Sequence, residues 1–394
     1  MSPRLSVHVL LLSAAALIAL GLLMLISVGQ AGATTEAEAM SLAARQLKGV
    51  FIGGAACLTL AFVNYRRLGR WRWLWMAIAV VLLTLCFVPG VGVEELGARR
   101  WIDVPGLNFG LQPSELAKIA IVVFLAACYS NPDRWRGCGW RGRTLREVCI
   151  PLGVTAAPLA LIALEKDLGA TALLGAAVVT MLFVAGLRAL WLVAGGLAGL
   201  LGLVFLVYSS PERTGRVEAY LRTMQGTATL ADASGENMQQ EMALQALNSG
   251  GLRGSGLGNS VQKLKKLPQQ ESDFIFPIIG EELGLQATLP VLMLFVLILL
   301  AGMSIALEAG DRFGLLLGTG LVVLIACQAF INMGVATAVL PNKGMALPFI
   351  SLGGSNMLFC LSSIGILISI HRHARREEEP APSSVRLRRI TPCV

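Results

Sequence analysis

The densest chemistry in the chain lies between Gly254 and Gly284, in the run GSGLGNSVQKLKKLPQQESDFIFPIIGEELG. Lys263, Lys265 and Lys266 stand just upstream of Glu271 and Asp273. Carboxylates beside lysines read two ways. They form surface ion pairs, or one of them is a general base next to cations that hold an anionic substrate. Gly254, Gly256 and Gly258 lack the third spacing and the preceding strand of a dinucleotide fingerprint. They read better as backbone that must approach something closely.

Other polar groups fall at the ends of apolar runs. Gly97-Ala-Arg-Arg-Trp101 with Asp103 leads into Gln112-Pro-Ser-Glu115, a sound helix entry because proline suits the first turn. Glu115 and Lys118, three apart, share one helical face as either a helix-fixing ion pair or part of a site at the membrane boundary. Glu165-Lys-Asp-Leu-Gly169 packs three charges into a tight turn, a solvated cap in which Asp167 is placed to cap the next helix, or a functional cluster. Arg213 and Arg216 open a long loop and suit an anion. Lys343 is the sole charge of Pro341-Asn-Lys-Gly344, and Gly353, Gly354 and Ser355 fall inside an apolar run, where small residues permit close helix contact.

Composition narrows the chemistry. Hydrophobic residues make up 55% of the 394 residues and charged ones 14%, against roughly 25% charged in soluble proteins. The chain is therefore expected to be all-α and polytopic in a membrane. Its net charge of +8 comes from basic residues at helix ends, so it does not point to nucleic acid. Eight cysteines contain no CxxC pair and none lies in an expected outer loop, which argues against thiolate metal sites and disulfides. The three histidines, His8, His371 and His373, sit at the first and last spans, which removes Ser–His, Cys–His and most zinc chemistries.

These groups must be positioned by membrane helices. Apolar runs able to cross a bilayer, roughly 20 residues, occur near 7–28, 47–65, 71–89, 113–129, 148–164, 168–186, 189–208, 287–308, 314–338 and 346–370. Arginines cluster at 66–72, 134–146 and 372–389, which puts both termini in the cytoplasm. The loops at 29–46, 90–112, 165–167, 209–286 and 339–345 are then outside, with 209–286 the large one. The first span is read as an uncleaved anchor, because its apolar stretch exceeds a signal-peptide core. Residues 1–376 form one membrane domain, and 377–394, charged and proline-bearing, a disordered tail. No internal repeat is evident.

QPSELAK (112–118), GLGNSVQKLKKLP with DFIFPIIGEELG (256–284) and INMGVATAVLPNKGMALPFISLGGS (331–355) resemble the SEDS family of bacterial peptidoglycan polymerases. The resemblance covers about residues 7–372, and the GLGNSVQKL wording and the lysine of PNKG match its cell-division branch more than its elongation branch. It implies ten helices and a glycosyltransferase that joins lipid II units by β-1,4 linkages at the inner membrane, at the division septum. It implies Asp273 as the essential carboxylate and Lys343 as a functional cation. Trp101, Glu115, Lys118 and Asp167 match other family positions, and Arg213, Arg216, Lys263 and Ser355 complete the expected substrate-binding set. Implied partners are a class B penicillin-binding protein transpeptidase, other division proteins and membrane lipid. A divalent cation, magnesium or manganese, is compatible with a pyrophosphate leaving group. Departures include Lys166 where the family has proline, Glu271 where it has histidine, SLGGSN for SYGGSS, and Met242 in place of glutamine. A lipid II flippase and a non-catalytic division scaffold are the rival readings.

Overall fold

A computed structural model describes residues 3–30, 35–95, 98–103, 110–131, 143–187, 189–209, 214–215, 217–218, 236–264 and 269–378. The chain is an α-helical, polytopic membrane protein. Each of the ten apolar runs coincides with a helix: α1 (Pro3–Gln30), α2 (Glu36–Phe62), the pair α3 (Arg66–Arg70) and α4 (Arg72–Leu85), α5 (Pro113–Tyr129), α6 (Arg143–Leu164), α7 (Leu168–Val184), α8 (Ala189–Tyr208), α12 (Leu285–Leu307), α13 (Arg312–Ala336) and α14 (Gly354–Glu378). Between α8 and α12 lie α9 (Glu236–Gly250), α10 (Val261–Leu264) and α11 (Ile275–Leu283). Among the described residues, four helices, at Leu5–Gln30, Leu285–Leu307, Arg312–Ala336 and Gly354–Arg375, are long and apolar enough to cross a bilayer, and four shorter apolar helices accompany them.

The core is built on α5, α13 and α14. α5 is buried along almost its whole length, from Pro113 to Tyr129, and α13 buries residues on all sides. A helix apolar all round belongs inside a bundle. α8 is different: Leu190, Val193, Leu197 and Phe205 are exposed. Such surface would be a liability in water and is ordinary against lipid. Close approach of α2 and α14 rests on small residues. A methyl group on Gly49 would stand 3.2 Å from the Gly354 Cα, and one on Gly365 only 2.4 Å from the Cys57 carbonyl oxygen.

Four features differ from the sequence expectation. The last helix starts at Gly354, not near 346; Pro348 lies in an irregular turn with Phe349 at φ +66°, and Gly353 precedes the helix. α2 begins at Glu36, with Thr35 as N-cap, so most of the expected outer loop 29–46 is helical. The 90–112 loop carries a small antiparallel sheet, β1 (Gly92–Glu95), β2 (Ala98–Asp103) and β3 (Gly110–Leu111), in the order β1-β2-β3. Finally, α14 reaches Glu378, two residues into the segment read as a tail. Cys138, Cys393, Arg213, Arg216, Lys265, Lys266 and residues 379–394 lie outside the described residues.

Candidate active site

Asp273 sits where four segments meet. Its own turn, 269–274, precedes α11; the others are the 338–353 segment after α13, the α6–α7 turn at 165–167, and β2. The first two are stitched together by hydrogen bonds. Asn332, on α13, donates through Nδ2 to the Asp273 carbonyl at 2.8 Å and to the Met345 carbonyl at 2.6 Å. The Leu352 amide donates to the Glu271 carbonyl at 2.9 Å. Ser351 Oγ donates to the Ser272 carbonyl and accepts from the Leu347 amide at 2.7 Å. Gln46 of α2 donates to the Ser351 carbonyl at 2.9 Å and accepts from the Gly353 amide at 3.2 Å. Backbone groups held this way fix the carboxylate's base without using its oxygens.

Gly344 supplies room for that carboxylate: a methyl group at 344 would come within 2.5 Å of Asp273 Oδ2. Lys343 is the neighbouring residue in the chain and is half-buried. The α6–α7 turn approaches from another side, since a methyl group on Gly169 would meet the Met345 side chain at 3.1 Å. Asp167 caps α7, accepting from the Ala170 amide at 3.0 Å.

Burial and the negative charge of Asp167 push the Asp273 carboxyl up to about 7; Arg100 and a Ser272 hydrogen bond act against this, and Glu271 adds to it. Glu165 is 3% exposed, not a solvated cap as its turn suggests, with both oxygens sealed from solvent and the weak Cys86 thiol donor beside it. Burial, then Asp167, raise its carboxyl to about 8. Arg100, on β2, donates to the Glu165 carbonyl at 3.2 Å and the Lys166 carbonyl at 2.9 Å, so it holds this turn by its backbone. Lys166 has φ +64°, a conformation closed to proline, whose ring fixes φ near −65°. A proline at 166 could not follow the path that this turn takes.

Several expected site residues are committed within the protein. Lys118 is 2% exposed; its ammonium contacts Glu115 at 2.6 Å, Gln328 Oε1 at 2.7 Å and the Phe359 ring at 4.8 Å. Gln328 in turn donates to the Ala346 carbonyl at 2.8 Å and to Asn356 at 3.0 Å. The Glu115–Lys118 pair thus props the segment that carries Lys343. Ser355 Oγ accepts from the Gln112 amide at 2.9 Å and donates to the Gly110 carbonyl at 3.2 Å, joining the start of α14 to the entry of α5. Trp101 packs its ring against Gly110.

Lys263 departs furthest from the surface pairing expected with Glu271 or Asp273. Its ammonium lies 2.6 Å from Glu282, which is 0% exposed, and 2.9 Å from both Ser27 oxygens. Glu281 accepts from the Val261 and Gln262 amides and from Ser260, which fixes the start of α10. The glycines of this run make a close approach to protein: at Gly254, φ +76°, a methyl group would stand 2.2 Å from the Glu282 carbonyl oxygen.

The residues missed by sequence reasoning are Arg100, Gln46, Gln328, Asn332 and Ser351. Gln328 and Asn332 left a readable signal. Two amides four apart on one face of an apolar helix are costly in a membrane unless they hold something. For the divalent cation, the described residues offer no group of three or more His, Cys, Asp or Glu around one point.

The chain is thus a polytopic membrane protein with a half-buried carboxylate of raised pKa set among loops at one end of its bundle. The family model FTSW_RODA_SPOVE, described as cell cycle protein, matches residues 7–376, and the chain belongs to that family. It is 36% identical over 363 residues to a protein of Geobacter metallireducens named probable peptidoglycan glycosyltransferase FtsW, covering 92% of this chain and 93% of that one. Stage V sporulation protein E of Bacillus subtilis is 36% identical over 361 residues, 91% and 95% of the two chains. Among solved structures, a chain from a peptidoglycan synthase complex that coordinates polymerization and crosslinking superposes with TM-score 0.73 at 26% identity, over 93% and 97% of the chains. The Rod shape determining protein RodA of Thermus thermophilus superposes with TM-score 0.66 at 27% identity, over 92% and 95%.

Proposed function

We propose that the chain is a peptidoglycan glycosyltransferase of cell division, which transfers the glycan of one lipid II onto another or onto a growing strand. The observation that carries this reading is the carboxyl of Asp273, raised to about 7 beside the Lys343–Gly344 loop. A general base works best with a pKa near the operating pH. Asp273 accepts the proton of the acceptor sugar 4-hydroxyl as that oxygen attacks the donor's anomeric carbon. The bond from that carbon to phosphate breaks, and polyprenyl pyrophosphate departs. Pyrophosphate needs charge neutralisation rather than protonation, so a second carboxylic acid of the glycosidase kind is unnecessary. Lys343 supplies that charge, with Arg213 and Arg216 as further candidates. Glu115 and Lys118 support the site by propping the Lys343 segment through Gln328, and Trp101, Asp167, Lys263 and Ser355 complete the substrate-binding set.

The same reading gives the chain ten spans, both termini in the cytoplasm and the site on the outer face, at the septum. It pairs the chain with a class B penicillin-binding protein and other division proteins; the related synthase complex supports such a partner. The test is polymerisation of lipid II by the purified protein, with and without that transpeptidase. Glycan strands from the parent and none from Asp273→Asn are expected. Equal polymer from both proteins would leave a flippase or scaffold role in its place.

A further inference from the structure

At the arginine-rich end of the bundle, α3 and α4 present a groove of about 260 Å³. Arg67 of α3, Trp71 at the junction, and Leu74, Trp75 and Ile78 of α4 line it, with Val63 closing one side. The groove is apolar, with Arg67 its one charged lining residue among those described.

Four arginines, Arg66, Arg67, Arg70 and Arg72, and three tryptophans, Trp71, Trp73 and Trp75, fall within the ten residues 66–75. The bland account is an interfacial anchor, since tryptophan and arginine both favour the membrane boundary. Pairing argues for more. Arg66 is held by Asp311 at 2.6 Å. Arg67 and Arg70 have exposed side chains and no ion pair among the described residues, and Arg72 Nε is buried without a hydrogen-bond acceptor. Arg67 lines the groove and Arg70, three residues on, is its neighbour on the helix surface, and no protein anion meets either among the described residues. The positive-inside rule assigns this end to the cytoplasmic leaflet, where anionic lipids are met and where basic pockets between helices bind their headgroups.

We propose that this groove is a binding site for one anionic phospholipid. The phosphodiester lies at Arg67 and Arg70. One acyl chain runs along Leu74, Trp75 and Ile78. The site is far in sequence from Asp273 and does not depend on the polymerase reading.

The test is native mass spectrometry of the full chain in detergent, titrated with phosphatidylglycerol or with phosphatidylethanolamine of the same acyl chains. The parent retains one phosphatidylglycerol in preference to phosphatidylethanolamine. An arginine near an anionic headgroup is worth about 1 kcal/mol, so Arg67→Gln with Arg70→Gln weakens retention on the order of 30-fold. Phosphatidylethanolamine retention stays as in the parent. Ile78→Trp fills the groove with the arginines intact and lowers retention of both lipids. Equal retention of the two lipids by the parent, or undiminished phosphatidylglycerol on the double variant, overturns the proposal.

Discussion

The Asp273 carboxylate lies over Gly344 so closely that a methyl group there would come within 2.5 Å of Oδ2. The obstructed atom is the end of a side chain, not backbone, so the cheap response to crowding is for the carboxylate to turn away. Gly344→Ala should therefore keep the fold and lose the site. With a base moved by about 1 Å, activity should drop on the order of 10²-fold. Unchanged thermal unfolding with lipid II polymerisation near background is the expected pair of results; parental polymerisation would remove Asp273 from the mechanism as drawn.

Asp273→Asn keeps the shape and removes the base, so polymerisation should fall by roughly 10²–10⁴. In the parent, only the ionised form accepts a proton, so the rate should rise with pH through about 7 and level off above it. Stability runs the other way. The folded pKa exceeds the ordinary value of 3.8, so the folded state binds more protons between 3.8 and about 7 and loses stability as pH rises through that window. Asp273→Asn escapes this and should unfold at a higher temperature than the parent at pH 8. Glu271→Gln is the control, since it removes a charge that raises Asp273 and should shift the limb to lower pH.

What was legible in the sequence follows from the range of each interaction. Every apolar run contains a helix, the last one only from Gly354 on, because hydrophobic length is a local property. The Gln112–Pro113 entry and the Asp167 cap are local too, and the structure has proline in the first turn of α5 and Asp167 bonded to Ala170. The Lys263–Glu282–Ser27 cluster joins α1 to α10, 236 residues away, and to α11, and no spacing rule could pair Lys263 with Glu282 over the nearer Glu271. Glu165 looks solvated in sequence because three charges share its turn; only packing shows that it is buried. The early start assigned to the last helix came from reading Met345–Leu352 as apolar span. Its backbone is instead bonded to Gln46, Gln328 and Asn332, which keeps the segment irregular beside Asp273.

Lys343→Ala should cut polymerisation sharply while the protein remains folded in the membrane. Lys343→Arg should rescue little, because a planar guanidinium and a compact ammonium fit a pyrophosphate differently. Lipid II binding measured beside turnover separates the roles. If Lys343 acts on the leaving group, the rate falls more than the affinity. A variant with the parental rate would place the lysine outside the site.

Glu165→Gln tests the buried carboxyl of the α6–α7 turn. Burial raises the folded pKa from 4.5 to about 8. Between those values the unfolded chain is ionised and the folded one is not, so parental stability falls as pH rises. Gln cannot ionise. The variant's advantage in unfolding midpoint should be small near pH 4.5, grow through the window and be greatest above pH 8. An advantage that does not change with pH would mean that Glu165 is ionised in the folded protein.

Arg100 ties β2 to the turn between α6 and α7. Its two donors hold the Glu165 and Lys166 carbonyls, and its charge lowers the pKa of both Asp273 and Glu165. Arg100→Gln should therefore do two things. It should loosen the turn that presents Asp167, and it should raise the Asp273 pKa, moving the acid limb of the polymerisation profile to higher pH. Arg100→Lys separates the effects. A lysine restores the charge without the fork that spans two carbonyls, so it should return the limb toward its parental position while leaving the plateau rate low. A purely structural arginine would lower the plateau in both variants and leave the limb where it was. A limb that stays in place in Arg100→Gln would therefore show that its charge does not reach Asp273.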